Sequence, residues 1–289
     1  MNVIHYGNTD LTVSDLLQGD VKLSSPPEIY ARLRKLIDEP DSTTNMLAEI
    51  IEQDPALSTR LLKLANSAFF ALPQEVISIP EAVSIIGFRD IQDLVLATEV
   101  IQRFDSIPED LVDIYSYWRH SLRCAVLSRQ LATTLPTQHA SESMFLAGLL
   151  HGIGHLVIYT RIPELGRKAL LEHRHRGIPL QEAEHEVMGF DYAQVGAALA
   201  AQWKLPPLLR SVLAHHLHPD KAEEFRLECA LVGLAHTLSE AGSFEESTID
   251  ALLAPNNTLL QAAGIEGDQL KAILPEAENA FGAALALLH

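Results

Sequence analysis

Twelve of the thirteen histidines in this 289-residue chain lie beyond residue 110, and several fall on helical patterns that are otherwise apolar. His120 shares a helical face with Cys124, Leu127 and Leu131. His151 and His155 are four residues apart within Phe145 to Tyr159, a spacing that projects both from one face of a helix. His215 and His216 are adjacent near the end of another helical pattern, with His218-Pro219 just beyond. His236 follows Leu234-Ala235 in a later one. A lone imidazole on an apolar face is usually a satisfied core residue. Several of them within about 120 residues could instead converge on a metal ion or an anion, because imidazole is a common metal ligand and titrates near neutrality. Spacing leaves both readings open. His139, His173, His175 and His185 sit among polar neighbours and read as solvated.

No competing chemistry is visible. There is no Gly-rich phosphate loop, no Ser-His-Asp order and no Cys-His nucleophile signature. Cys124 and Cys229 lie among small and apolar residues, which predicts buried thiols rather than a disulfide or a nucleophile. So few cysteines fit a reducing compartment. Met1 to Asp10 has neither a basic stretch nor an apolar run, so no signal peptide is expected. No stretch reaches the roughly 20 apolar residues of a membrane helix. Lys plus Arg is 21 against 38 Asp plus Glu, a formal charge of −17. Such a surface repels phosphate backbones and anionic lipid, which argues against nucleic-acid and membrane partners. The expected location is the cytoplasm.

The elements that would position these residues are helices. Ser25-Pro26-Pro27-Glu28 predicts an N-cap, a first-turn Pro and a capping-box Glu, followed by Ile29, Leu33, Leu36 and Ile37 at helical spacing. Asp54-Pro55 opens a helix through Leu57, Leu61, Leu62 and Leu64 that ends near Asn66-Ser67, where Asn and Ser read as cap and turn residues. Ser78-Ile79-Pro80-Glu81 is a second capping box, and Gly87 marks the end of its helix. Another helix is predicted from about Asp90 to Phe104. Asp191 caps a helix carrying Tyr192, Val195, Leu199 and Trp203 on one face, ending at Leu205-Pro206-Pro207. Glu240 to Asp250 reads as a loop, and a last helical pair follows to Leu288. No segment sustains period-2 alternation; the nearest, Glu75 to Ile79, is too short for a sheet. The fold class is all-α.

Six segments, in order, resemble the HDOD domain, a variant of the HD superfamily. They are DPALSTRLLKLANSAFF (Asp54 to Phe70), SIPEAVSIIGFRDIQDLVL (Ser78 to Leu96), YWRHSLRCAVLSRQLA (Tyr117 to Ala132), FLAGLLHGIGHLVIY (Phe145 to Tyr159), GFDYAQVGAALAAQWKLP (Gly189 to Pro206) and LAHHLHP (Leu213 to Pro219). The resemblance covers about Leu23 to Thr237. It implies a multi-helix HD-like bundle with an N-terminal helical subdomain packed against it. The expected division is an N-terminal segment (1–22), the HDOD domain (23–237) and a C-terminal helical extension (238–289). Within the domain, 23–107 is the N-terminal helical part and 108–237 the histidine-bearing core, with a soft boundary at Ile107-Pro108 too short for a free linker.

HD proteins that hydrolyse phosphate esters hold metal with histidines and acidic residues, above all a His-Asp pair on one helix and a later Asp. Here the resemblance places His151 at the paired His and Gly152 at its Asp. His155 stands where relatives carry a basic residue, and Tyr192 where another histidine would begin a helix. His215 and His216 keep a His pair, His120 matches the histidine of the preceding helix, and His236 stands at the late Asp. Glycine has no donor atom, and tyrosine ligates poorly near neutral pH because its pKa is about 10. The resemblance therefore implies no catalytic residue and a regulatory module of bacterial signal transduction acting through protein partners, with a homodimer as an option. No cofactor is expected. The alternatives are a metal-dependent phosphohydrolase, which would need a carboxylate from elsewhere, or a nucleotide or metal sensor. Glu142, Glu182, Glu184 and Glu186 read as loop or off-face residues. A metal held by His120, His151, His155, His216 and His236 would be structural or sensory, since imidazole suits Zn, Fe, Ni and Cu.

Overall fold

In the computed structural model, residues 11–19, 23, 25–66, 70, 72, 74–104, 107, 111–134, 143–240 and 257–285 are described. Among them every regular element is helical. A short helix α1 (Val13–Leu17) precedes α2 (Glu28–Ile37), α3 (Thr44–Ile51), α4 (Pro55–Ala65), α5 (Ile79–Ile86) and α6 (Phe88–Arg103). The second half runs through α7 (Ile114–Thr133), α8 (Met144–Leu150), α9 (Ile153–Arg161), α10 (Pro163–Arg176), α11 (Leu180–Met188), α12 (Tyr192–Gln202), α13 (Pro207–His215) and α14 (Arg226–Glu240). It closes with α15 (Asn257–Ala263) and α16 (Gly267–Ala284). Ser67, Pro108, His139, Glu142 and the predicted loop from Glu240 to Asp250, apart from Glu240 itself, lie outside the described residues.

Side-chain caps set several helix starts. The Asp54 carboxylate accepts from the Ala56 and Leu57 amides. Asp191 and Gln194 form a full capping box, each side chain bonding the other's backbone N–H. Two predicted boxes differ. Ser78 caps the Glu81 amide, but the Glu81 carboxylate accepts from Ile77 rather than from Ser78. α2 starts at Glu28 behind Pro27 with no side-chain cap, because the fixed backbone of Pro26-Pro27 already delivers the chain into the helix. Gly87 ends α5 at φ +101°, a conformation that disfavours any side chain. Asn66 does more than cap α4: its side-chain amide both donates to Val76 O and accepts from Val76 N, at 2.7 and 2.6 Å, and so pins the 74–78 segment to the helix end.

The buried apolar residues of both halves make one continuous cluster. α7 lies at the centre of the second half, packed by α8, α14 and α16. α9 packs on α12, and this contact needs glycine. A Cβ on Gly154 would stand 1.9 Å from the Tyr192 carbonyl oxygen, so no other residue allows the two backbones to meet this closely. Between the halves, α6 meets α8, the Arg34 guanidinium donates to Lys204 O, and the Trp203 indole donates to Leu23 O at 2.9 Å. α1 is fastened to α9 by Arg161, which donates to Leu16 O and Gln18 O. α16 covers α7 through Phe281, whose ring lies 4.6 Å under the Arg123 guanidinium. None of the described helices is long and apolar enough to cross a membrane.

Candidate functional site

The helices deliver the predicted histidines to two neighbouring places. At the first, α7 brings His120, the α8–α9 junction brings His151 and α14 brings His236. Their ring nitrogens lie within 4.8 Å of one another. His236 Nδ1 is 3.0 Å from His151 Nε2 and 3.4 Å from His120 Nε2. His151 is buried and the other two are half-buried.

Outer partners hold two of these rings, His151 and His120. His151 Nδ1 is 2.6 Å from Gly148 O. A carbonyl only accepts, so this nitrogen carries the proton and Nε2 presents a lone pair. His120 bonds the Ser239 backbone carbonyl. His236 Nε2 lies 3.8 Å from Glu240 Oε1. Burial holds all three imidazoles below their usual pKa, and the neighbouring imidazoles add to this at each of them, so all three are neutral near pH 7. For His120 the value is about 4.

The second place is beside the first. His155 stacks on Tyr192 with ring centroids 3.8 Å apart and donates from Nδ1 to Glu184 Oε1 at 2.8 Å. Glu184 Oε2 accepts from the Tyr192 amide at 2.9 Å. The Tyr192 hydroxyl bonds His216 Nε2 at 2.9 Å. His216 Nδ1 donates to Val212 O, so Nε2 accepts and the phenol donates. Burial keeps Tyr192 a phenol and pushes His216 down to about 3. A cavity of about 580 Å³ opens here, lined by His155, His173, Tyr192, His216, His236 and Gln181 among others. His236 thus belongs to both places. Gly233 allows α14 to approach, since a Cβ on it would stand 2.3 Å from His216 O.

Four sequence readings change. His151 and His155 do not share one helix face, because the helix breaks at His151-Gly152 and the rings turn to different partners. Of the five histidines weighed as one ligand set, three converge, while His155 and His216 are held by Glu184, Tyr192 and Val212. Glu184 is no off-face residue: it is 1% exposed and cross-links α11 to α9 and α12. Its register is legible, since it stands four residues after Leu180 and four before Met188 on the apolar face of α11. His173 is not simply solvated, for its Nδ1 donates to Ile178 O at 2.6 Å and its ring lines the cavity. His215 ends α13 and does not line the cavity, and His175 and His185 are exposed as expected.

Gly152 offers no donor atom to a metal, and its surroundings are close. A Cβ there would stand 3.3 Å from the Tyr117 hydroxyl and 3.6 Å from the His155 ring. The residues present therefore do not fit the His-and-carboxylate metal centre that the resemblance associates with hydrolysis. The converging atoms are three nitrogens and no oxygen. Glu184, the one buried carboxylate among the described residues, is committed to His155 and Tyr192.

The sequence profile of the HDOD domain matches residues 23–219. An uncharacterized protein of Treponema pallidum is 30% identical over 214 residues, which are 73% of this chain and 40% of that protein. The chain thus spans less than half the length of the curated relatives it matches. Among solved structures, one from Shewanella amazonensis described as a candidate phosphohydrolase has a TM-score of 0.77 at 27% identity, covering 95% of this chain and 98% of that one. An HDOD domain protein from Geobacter sulfurreducens has a TM-score of 0.73 at 22% identity, covering 95% of each chain; at that identity the likeness is one of fold.

Proposed function

The chain belongs to the HDOD domain family, and from that premise we propose that it is a cytoplasmic regulatory module of bacterial signal transduction, which acts by binding partner proteins and not by hydrolysing phosphoesters. One observation carries the reading: the ligand atoms that converge at His120, His151 and His236 are imidazole nitrogens, with no carboxylate in the group. Hydrolysis on this scaffold needs a metal that activates water and carboxylates that hold the ion and orient that water. Here the resemblance puts Gly152 at the position of the paired Asp, with the Tyr117 hydroxyl 3.3 Å from where a Cβ would stand, and His236 at the position of the late Asp. The Shewanella relative described as a candidate phosphohydrolase shares the fold, but fold alone assigns no chemistry.

The test is a panel of phosphomonoesters, phosphodiesters and cyclic nucleotides, offered with Mg, Mn, Zn and Co ions in turn to wild-type protein and to His151→Ala. Both proteins are expected to be equally inactive on every substrate. Turnover that depends on His151 would overturn the reading. A second reading, a small-ligand sensor, is favoured by the cavity of about 580 Å³, lined by imidazoles and Gln181 together with apolar side chains. It expects nucleotides to raise the melting temperature by mass action, and His216→Phe to abolish that rise.

A further inference from the structure

On the non-hydrolytic reading the core still brings together three imidazoles that have fewer protons than facing nitrogens. A neutral imidazole carries one N–H. His151 has placed its proton on Nδ1, toward Gly148 O. His120 donates to the Ser239 carbonyl. His151 Nε2 and His120 Nε2 therefore both face His236 Nδ1, which can offer one proton at most. If His236 instead places its proton on Nε2, toward Glu240, three lone pairs face one another. With the proton on Nδ1, one N–H must serve both His151 Nε2 at 3.0 Å and His120 Nε2 at 3.4 Å; with it on Nε2, the facing lone pairs cost free energy unless a cation lies between them.

The outer partners are those of metal-bound histidines. Such rings almost always donate their second N–H to a carbonyl or carboxylate, which fixes the tautomer and aims the ligating nitrogen. Here His151 has Gly148 O and His120 has Ser239 O as that partner, while Glu240 stands 3.8 Å from His236 Nε2, short of a hydrogen bond. Two of the three spacings agree as well, and the third lies within 4.8 Å. Zn–N distances of roughly 2.0–2.1 Å in a tetrahedron put ligand nitrogens about 3.4 Å apart, and His236 Nδ1 stands 3.0 and 3.4 Å from its two neighbours.

We infer that His120, His151 and His236 form a site for one divalent transition ion of the zinc, cobalt and nickel class. Three imidazoles select these ions over Mg and Ca, which require oxygen ligands. His236 also lines the cavity, so a fourth ligand reaches the ion from that side. The assignment rests on the non-hydrolytic reading of the core: it describes an ion that is held, not one that works.

The experiment uses untagged full-length protein stripped with chelator and dialysed. Cobalt(II) is titrated in while its visible d–d absorption is followed, and zinc is then added to displace it. Wild type is expected to saturate at one equivalent with the intense absorption of four-coordinate nitrogen ligation, and to ignore Mg and Ca at the same concentrations. His151→Ala and His236→Ala are expected to weaken binding at least tenfold, and His185→Ala to leave it unchanged. If His151→Ala fails to fold, His120→Gln at a half-buried position carries the same arm. No saturable one-equivalent binding by wild type, or binding unaltered in the folded substitutions, would overturn the site. Phosphoester turnover by the loaded protein would sink the non-hydrolytic reading and leave the site standing, whereas absent binding would do the reverse.

Discussion

The two halves of this molecule are built from the same helices and bury polar groups very differently. Between residues 11 and 107, Thr98 is the one buried polar side chain among the described residues, and it bonds back to its own helix at Leu94 and Val95. The half from α7 onward buries His151, Glu184, His216, Thr237 and Ser239, along with Arg123 and two further serines. Burying polar groups costs free energy unless each finds a partner. The first half avoids that cost and reads as scaffold: caps, turns and an apolar interior. The second meets it with a network joining α9, α11, α12 and α13 and with three facing imidazoles on α7, α8 and α14. The contrast locates the site without reference to any known protein.

Acid should separate the halves most sharply. In metal-free protein the core histidines stay neutral well below the usual imidazole range, with His120 at about 4 and His216 at about 3. Unfolded, they titrate near 6.5. Between these values the unfolded chain binds protons that the native chain refuses. Stability is therefore fully present above about pH 6.5 and falls as pH drops, by about 1.4 kcal/mol per pH unit for each such histidine. No histidine lies between His5 and His120. Hydrogen-exchange protection corrected for intrinsic rates should collapse in α7, α8 and α14 at a higher pH than in α3 and α4. Simultaneous loss in both halves would erase the distinction.

Gly154→Ala is the next largest effect. The methyl would meet the Tyr192 carbonyl at 1.9 Å, forcing α9 off α12 at a cost of about 3 kcal/mol or more. A melting temperature indistinguishable from that of wild type would show that the close backbone approach is not required. Glu184→Ala should cost about 2–3 kcal/mol, because the His155 and Tyr192 N–H donors lose a buried acceptor. Glu184→Gln, which keeps an acceptor, should recover part of it in a denaturant titration. In the first half, Asn66→Ala removes two backbone bonds to Val76 and should cost about 1–2 kcal/mol with no effect on cobalt binding. His185→Ala, on the exposed face of α11, should change stability by less than about 0.5 kcal/mol. A larger loss would mean that histidine content rather than burial sets the difference.

How much of this the sequence discloses follows from the range of the interaction involved. Caps are local, so Asp54 and Asp191 are readable at three-residue range. Helical register is local too, and it places His120 inward correctly. What escapes depends on where helices stop and what they meet. The turn at Gly152 separates His151 from His155, and no spacing rule anticipates it because glycine permits the break without requiring it. Glu184 escapes a reading by composition although its register between Leu180 and Met188 points inward; a carboxylate on an apolar face declares a buried partner even when that partner is eight residues away or on another helix. The meeting of His120, His151 and His236 joins residues 31 and 85 positions apart, and only packing brings them together.

The central claim is that this core keeps its nitrogen ligands while lacking the carboxylates of a hydrolase. Elemental analysis tests it most directly, on untagged protein from metal-supplemented medium, purified without chelator beside His151→Ala. The account predicts close to one equivalent of a zinc-class ion in wild type, little in His151→Ala, and neither magnesium nor manganese in either. No metal in wild type, or an equal amount in both proteins, would contradict it.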